Sequence, residues 1–568
     1  MYEASSPPFC RLITTVLSQE YESPTQANGH GPLADGHEDK IDWDYFISDS
    51  GRKWTPSASQ YNLPPLLPLP WAPTLSYRRR KSADPSSLHL FPTFDSRPPW
   101  RTKIHFSCSP SLGFRRDSPS TVRGLFHREE IPGMISFLAG KPNPTTFPFS
   151  SISVMLKPIV PTAEPETLVV EGENLNESLQ YGPTAGLKKL VNWLEDLQVM
   201  KHSRKKDGSW GVSIGSGSQD LINKAFHSLV NEGDTVLVET PLYSGTIGLL
   251  QPMSCDLVEI PTDAQGINTP VLEDMLANWA TLHPNKRFPK IIYTIPTGSN
   301  PTGCSSPLER RVHLLKLARQ YNLLILEDDA YHYLVFDVTN QPPSYFDLEA
   351  QNGGQTGRVL RFDSLSKIIS SGMRLGFVSG AKELLRIIDL NTANTNLQPA
   401  STTQSIVLVL LERWGHQGFI EHTRRVSAFY KEKRDMFEKA ARKHLGGLAD
   451  WVTPDAGMFV SGWAPFHKGE ASVPLADRLV NAVPPQLYLN LHLTSNESSG
   501  DSNELISKKA LEKGVLAVPG VGFSPSGSIS SSVRVSFSLA TEEDADKGFA
   551  RLAEAVREAR AAARVVDE

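Results

Sequence analysis

Cysteine is scarce in this chain of 568 residues: only Cys10, Cys108, Cys255 and Cys304 occur. None falls in a Cys-x-x-Cys or other metal-ligand spacing, so neither a disulfide framework nor a bound metal is expected, which fits a reducing compartment. Long apolar runs are missing too. No stretch of 18 apolar residues occurs, so no membrane span is expected. Excess charge of one sign is also lacking: the net charge of -5 gives no reason to expect a nucleic-acid partner. The opening Met1-Tyr-Glu-Ala-Ser-Ser-Pro-Pro8 has no charged region followed by an apolar one, and Glu3, Glu20 and Glu22 do not suit a mitochondrial transit peptide. A cytoplasmic protein is the expectation. Hydrophobic residues at 39% and charged residues at 21% are an ordinary globular balance, over a length sufficient for more than one domain.

Proline is unevenly spread. Sixteen of the 43 prolines lie in the first 130 residues, clustered at Leu63-Pro-Pro-Leu-Leu-Pro-Leu-Pro70. No sustained helical or strand period accompanies them, so residues 1–125 read as a largely disordered extension. The basic run Arg78-Arg-Arg-Lys81 reads as a solvated linker run, with a nuclear signal or a phosphate contact as the functional alternative. Order is expected from about residue 126. Met134-Ile-Ser-Phe-Leu138 reads as a short strand running into a turn at Gly140, where the lack of a side chain permits close backbone approach to a ligand.

One stretch organises the remainder: Asp363-Ser-Leu-Ser-Lys-Ile-Ile-Ser-Ser-Gly-Met-Arg374, between the apolar runs Val359–Phe362 and Leu375–Val378. A lysine between two buried strands is expensive unless its charge is removed or used. A Schiff base removes it, and Ser364, Ser366 and Arg374 around Lys367 suit a phosphate. A lysine imine beside a phosphate cradle is what pyridoxal 5'-phosphate (PLP) requires. On this stretch alone, a surface lysine in a serine-rich loop accounts for the residues equally well.

Other segments add chemistry at strand ends. Trp210–Ser218 is strand then Gly/Ser turn, followed by a helix carrying Leu221, Ile222, Ala225, Phe226, Leu229 and Val230 at helical period. Such a turn offers free N–H groups and a favourable dipole to a phosphate, although it matches neither a dinucleotide fingerprint nor a P-loop. Tyr243 follows the strand Thr235–Val238, where an aromatic ring can stack on a pyridine or pack in the core. Lys290–Gly303 is a buried strand and a turn holding Asn300 before Pro301. Leu323–Leu326 runs into Glu327-Asp-Asp-Ala-Tyr331, and acids at the end of an apolar strand need a cation, such as a protonated pyridine nitrogen, or else a solvated turn. Alternating strands and helices imply a parallel sheet with crossovers. Helices are expected at Leu187–Leu194, Leu308–Tyr321, Ile406–Trp414, Ala428–His444 and Glu542–Arg564. Strands are expected at Asp455–Gly462, Gly514–Gly520 and Val533–Ser538, and residues 464–503 read as an inserted loop. Arg534 alternates with apolar residues on the last strand, as a surface arginine or a carboxylate clamp.

As an ordered set, Leu-Gln-Tyr-Gly-Pro-Thr-Ala-Gly186, Gly-Ser-Gly-Ser-Gln219, Asn-Pro-Thr-Gly303, Glu-Asp-Asp-Ala-Tyr331, Ser-Leu-Ser-Lys-Ile-Ile-Ser-Ser-Gly-Met-Arg374 and Arg-Val-Ser-Phe-Ser538 resemble the fold-type I PLP-dependent aminotransferases of class I/II. The resemblance spans about residues 128–565. Within the family it is nearest the kynurenine/2-aminoadipate and fungal aromatic branch. It implies an α/β fold: a large domain, about 180–400, with a mostly parallel seven-stranded sheet, and a smaller α+β domain from 126–178 plus 401–565. The residue roles implied are these. Lys367 would form the Schiff base and carry the proton, and Asp328 would pair with the pyridine nitrogen. Tyr331 and Asn300 would hydrogen-bond the ring's phenolic oxygen, and Tyr243 would stack on the ring. Ser218, Ser364, Ser366 and Arg374 would hold the phosphate, with Gln219 supporting the loop. Tyr181 would reach the phosphate from the other subunit of a homodimer. Arg534, with Asn300 and the backbone at Gly140, would bind the substrate carboxylate. The activity implied is ping-pong transfer of an amino group from an aromatic L-amino acid to 2-oxoglutarate. 2-Aminoadipate/kynurenine transamination is the alternative within that chemistry, and a PLP-binding transcription regulator the alternative of another class. Ala330, where this branch commonly has proline, and Lys141 after Gly140 depart from the pattern.

Overall fold

The structure is a computed structural model that describes residues 125, 128–129, 131–138, 140–158, 162, 164–351, 356–460, 489–491, 493 and 500–567. The proline-rich segment, its basic run, and residues 464–488, 492 and 494–499 of the expected insert lie outside the described residues.

Within the segment Arg52–Leu138, a unit of its own, residues 131–138 form no strand. Ile135 is 79% and Phe137 97% exposed, so the expected strand at 134–138 is corrected. An apolar run becomes a strand only where a neighbouring edge takes its N–H and C=O groups, and none of the described strands pairs with it.

In the other unit, β1 (Ile152–Leu156) and β2 (Glu166–Val170) form an antiparallel pair. The main sheet is built from β3 (Trp210–Gly215), β4 (Thr235–Thr240), β5 (Asp256–Asp263), β6 (Gly266–Ile267), β7 (Ile291–Thr294), β8 (Leu324–Asp328), β9 (Val359–Ser364) and β10 (Gly376–Ala381). Their order is β3-β10-β9-β8-β7-β4-β5-β6. Seven strands are long, as expected, and the two-residue β6 adds a hairpin edge beside β5. β4, β5, β7, β8 and β9 are mutually parallel, while β10 runs antiparallel to both β9 and β3. Strands β3, β4, β7, β8, β9 and β10 are buried at every position, as helices on both faces of a parallel sheet require. This explains their near-continuous apolar runs. Helix α1 (Ser218–Leu229) packs Leu221, Ile222, Ala225, Phe226 and Leu229 into the same core.

Helix α2 (Ser401–Leu445) unites the two helices expected at 406–414 and 428–444, with a break at Gly415, whose φ of 62° and ψ of 175° are non-helical. Val407, Leu408, Leu411, Phe419 and Ile420 from its first half belong to the core of the main sheet. The domain boundary expected at residue 400 therefore falls inside that core; the reason is that the helix runs on past it without leaving the sheet's apolar surface.

A second core joins Phe437, Ala441 and Leu445 of α2 to Leu491, Val533, Phe537 and the C-terminal helix α3 (Glu542–Asp567). Its small sheet contains β11 (Ala449–Asp450), β12 (Phe459–Val460), β13 (Leu489–Leu491), β14 (Val518–Pro519) and β15 (Ser532–Ser536). The strand expected at 514–520 is thus reduced to β14. The loop expected over 464–503 contains β13, which pairs with β11 and β15. Leu489, Leu491 and Leu493 alternate at the strand period, and Leu491 and Leu493 are buried.

Candidate active site

Because β3 runs with β9, the C-terminal ends of β3, β4, β7, β8 and β9 and the start of β10 share one rim of the main sheet. Ligands of open α/β sheets bind in the crevice at such a rim. The candidate residues occur in its turns: Ser218 and Gln219 after β3, Tyr243 after β4, Asn300 after β7, Asp328 and Tyr331 at the end of β8, Ser364, Ser366 and Lys367 after β9, and Arg374 before β10.

On one side is a cluster suited to phosphate. Arg374 donates from Nη1 to Ser366 Oγ and Ser371 O, and from Nη2 to Ser216 O, at 3.2–3.3 Å. Ser364 Oγ accepts from the Ser366 N–H. Gly217, at φ 91°, caps α1 without any side-chain hydrogen bond to the first-turn N–H groups. A Cβ on Gly217 would come within 2.5 Å of Arg374 Nη2, and one on Gly376 within 2.5 Å of Ser218 N. Glycine at both positions lets the guanidinium, the serine hydroxyls and the helix N-terminus converge, which is the donor set an anion needs.

Beside it are the residues that a planar ring would need. The Tyr243 ring lies against Gly245, where a Cβ would meet it at 2.5 Å, and Gln219 Nε2 donates to Gly245 O at 3.2 Å. Asp328 is buried; its Oδ2 accepts from the Tyr293 hydroxyl at 2.6 Å, while its Oδ1, also buried, has no partner among the described residues. Burial pushes the Asp328 carboxyl up to about 6, although the Tyr293 hydrogen bond and the nearby Lys367 charge pull it down. A buried carboxylate oxygen without a donor fits a protonated pyridine nitrogen. Lys367 is half-buried, and burial, reinforced by Arg374 and opposed by Asp328, lowers its pKa. This favours the neutral amine that a Schiff base needs.

Asn300 connects Tyr331 to the small sheet. Arg534 Nη1 donates to Asn300 Oδ1 at 3.1 Å, and Tyr331 hydrogen-bonds Asn300. Burial pushes the Tyr331 phenol well above its usual range. The Arg534 guanidinium sits over two rings, 4.7 Å from Phe459 and 5.0 Å from Phe523. Tyr181 is 54% exposed, with its backbone N–H on Gln180 Oε1. Gly140 is exposed with open space where a Cβ would point. No contact places either residue against the cluster.

Three buried groups escaped the reading of the sequence. Arg361 on β9 pairs with Asp329 Oδ2 at 2.6 Å, Asp363 Oδ1 at 2.8 Å and Glu327 Oε1 at 3.6 Å, so two of the three acids ending β8 meet this cation, while Asp328 is held by the Tyr293 hydroxyl. Glu239 accepts from Ile295 N, Thr294 Oγ1 and Ser299 Oγ, fixing the turn before Asn300; burial raises its carboxyl to about 8. Tyr293 is the third. The signal available was strand parity: Arg361 and Asp363 sit two apart on an otherwise apolar strand, on one face.

Among the described residues no group of three or more His, Cys, Asp or Glu side chains could hold a metal, and no helix is long and apolar enough to cross a membrane.

The family description "Aminotransferase class I and II" matches residues 161–552. The aminotransferase tdiD of Emericella nidulans is 42% identical over 436 residues, covering 77% of this chain and 92% of its own. The mitochondrial kynurenine/alpha-aminoadipate aminotransferase of Mus musculus is 36% identical over 454 residues, 78% of this chain and 96% of its own. Among solved structures, the aromatic aminotransferase Aro9 of C. albicans aligns with a TM-score of 0.64 at 28% identity, over 75% of this chain and 92% of that one. The family uses PLP, and the orphaned Asp328 oxygen and the anion cluster fit that cofactor. The chain is a member of the class I and II aminotransferase family.

Proposed function

We propose that this aminotransferase transfers the amino group of an aromatic L-amino acid to 2-oxoglutarate by a ping-pong mechanism. The carrying observation is the Tyr331–Asn300–Arg534 chain, which ends on an arginine lying over two phenylalanine rings. Arg534 binds the α-carboxylate bidentately, with help from Asn300 and the backbone at Gly140, and the partly buried Phe459 beside it supplies apolar surface for an aromatic side chain. PLP, when bound, supplies an electron sink for the charge left as the substrate Cα loses its proton. Lys367 Nζ would take that proton from the substrate Cα and carry it toward the cofactor, and burial, which lowers its pKa, favours the neutral amine this needs. Asp328 would accept a hydrogen bond from the ring nitrogen. Tyr331 and Asn300 would donate to the phenolic oxygen. Ser218, Ser364, Ser366 and Arg374 would hold the phosphate. Tyr243 would cover the ring face, and Gln219 holds the nearby loop through Gly245.

In this reading the enzyme is a cytoplasmic homodimer in which the exposed Tyr181 of each subunit reaches the other's phosphate site. Sedimentation of the holoenzyme tests the dimer: a monomer of 62.6 kDa contradicts it. The kynurenine/2-aminoadipate alternative draws support from the mouse relative, and no observation favours a transcription regulator. The deciding experiment is kcat/KM for L-phenylalanine, L-tryptophan, L-kynurenine and L-2-aminoadipate with 2-oxoglutarate. The aromatic reading expects parallel double-reciprocal lines and the highest values for phenylalanine or tryptophan; a larger value for aminoadipate overturns it.

A further inference from the structure

Tyr293 stands on the fully buried β7, between β4 and β8, with its ring 5.8 Å from that of Phe226 on α1. Phenylalanine would fill the same space. The hydroxyl is the one polar part of the side chain, and it donates to Asp328 Oδ2 at 2.6 Å. The two oxygens of that carboxylate are thereby made unequal: Oδ2 is held from β7, and Oδ1 is left with no partner among the described residues. We propose that Tyr293 is a positioning residue for the cofactor, orienting Asp328 and stabilising its ionised form so that Oδ1 is presented to the pyridine nitrogen. The proposal rests on the assignment of Asp328 to that nitrogen.

The opposite reading, that Asp328 exists to satisfy a buried hydroxyl, runs against the relative costs. Burying an ionised carboxylate costs more than leaving one neutral hydroxyl unpaired, and a Phe would remove the need altogether. The surroundings show why the carboxylate needs support. Asp329 beside it, Asp363 from β9 and Glu239 from β4 all disfavour its charge, Lys367 favours it, and the phenols of Tyr243 and Tyr331 stand near it. Among the influences that lower the Asp328 pKa, the Tyr293 hydrogen bond is the largest. Losing it moves that pKa further up, so protonation of Asp328 begins at a higher pH.

The test uses the full-length chain and pyridoxamine 5'-phosphate, which makes no bond to Lys367 and so reports the ring contacts directly. Its dissociation constant is measured by equilibrium dialysis from pH 5 to 8.5 for the wild type, Tyr293→Phe, Asp328→Asn and Tyr331→Phe. The expected result for Tyr293→Phe is roughly tenfold weaker binding at pH 8, the order expected for a hydrogen bond to a charged group. Its acid limb is displaced to higher pH, and its thermal midpoint without cofactor stays close to the wild type's. Tyr331→Phe weakens binding without moving the limb. Unchanged affinity and limb in Tyr293→Phe, with Asp328→Asn weakened, overturns the role of Tyr293 alone. Unchanged binding in both overturns the Asp328 assignment and the proposal with it. Uniform weakening at every pH with the limb unmoved shows a packing role and also overturns it.

Discussion

Replacing Arg361 with methionine keeps most of the side-chain volume and removes the ion-pair partner that Glu327 and Asp363 have among the described residues. The guanidinium is fully buried, as are Glu327 and Asp329, while Asp363 is nearly so. Breaking a buried ion pair from one side costs about 3–5 kcal/mol, because the opposite charge is left without compensation. The cost depends on pH in a direction set by the three acids. Burial raises Glu327 to about 7 and Asp363 to about 6, each against the pull of Arg361. Carboxyls raised in the folded state weaken it as pH climbs through those values. Asp329 is held well below the usual range, since Arg361 and His332 outweigh its burial, so it contributes stability that is lost as pH falls through its folded value. Without Arg361 all three acids shift upward, and the deficit of the variant grows between about pH 5 and pH 8. Urea unfolding of both proteins at pH 5 and pH 8 measures it. A deficit below about 1 kcal/mol at pH 8, or one equal at the two pH values, refutes the reasoning.

Lys367→Ala should abolish borohydride trapping of the cofactor and lower turnover at least about a hundredfold, the lower range for loss of a positioned acid–base; mass spectrometry of the trapped peptide checks the first. Arg374→Ala should weaken PLP binding by roughly ten- to a hundredfold through loss of charge-assisted hydrogen bonds, measured by dialysis. Gly217→Ala should do the same by a different route, since its Cβ would meet Arg374 at 2.5 Å in a backbone conformation of φ 91°. Arg534→Lys should cut kcat/KM for every amino and oxo acid roughly tenfold while leaving cofactor affinity unchanged, as expected where a bidentate fork is replaced by a point charge.

Much of the site was readable in the chain because its residues occupy turns after buried strands, where both sequence pattern and topology point to the same rim. Lys367 and Arg374 stand seven apart around Ser370, Ser371 and Gly372, and the β10 strand that follows fixes their side of the sheet. Arg361 left one sign in its two-residue spacing from Asp363, but its pairing with Asp329 was not readable, nor were Tyr293 and Glu239. Each sits inside a strand that reads as core, and its partner lies far away in the chain: Arg361 is 32 residues from Asp329, and Glu239 is 56 from Ile295. Such pairs are created by strand order, which no local pattern encodes. The same cause accounts for β13, whose three residues become a strand only because β11 and β15 flank it, and for residues 134–138, which have the composition of a strand and no paired edge among the described residues.

The most direct test of the central claim is the visible spectrum of the purified holoenzyme as substrates are added one at a time. The account predicts an absorption band of the lysine-linked cofactor that is lost on adding L-phenylalanine or L-tryptophan without an oxo acid and restored by 2-oxoglutarate. A band that no amino acid alters, or one that persists unchanged in Lys367→Ala, would contradict it.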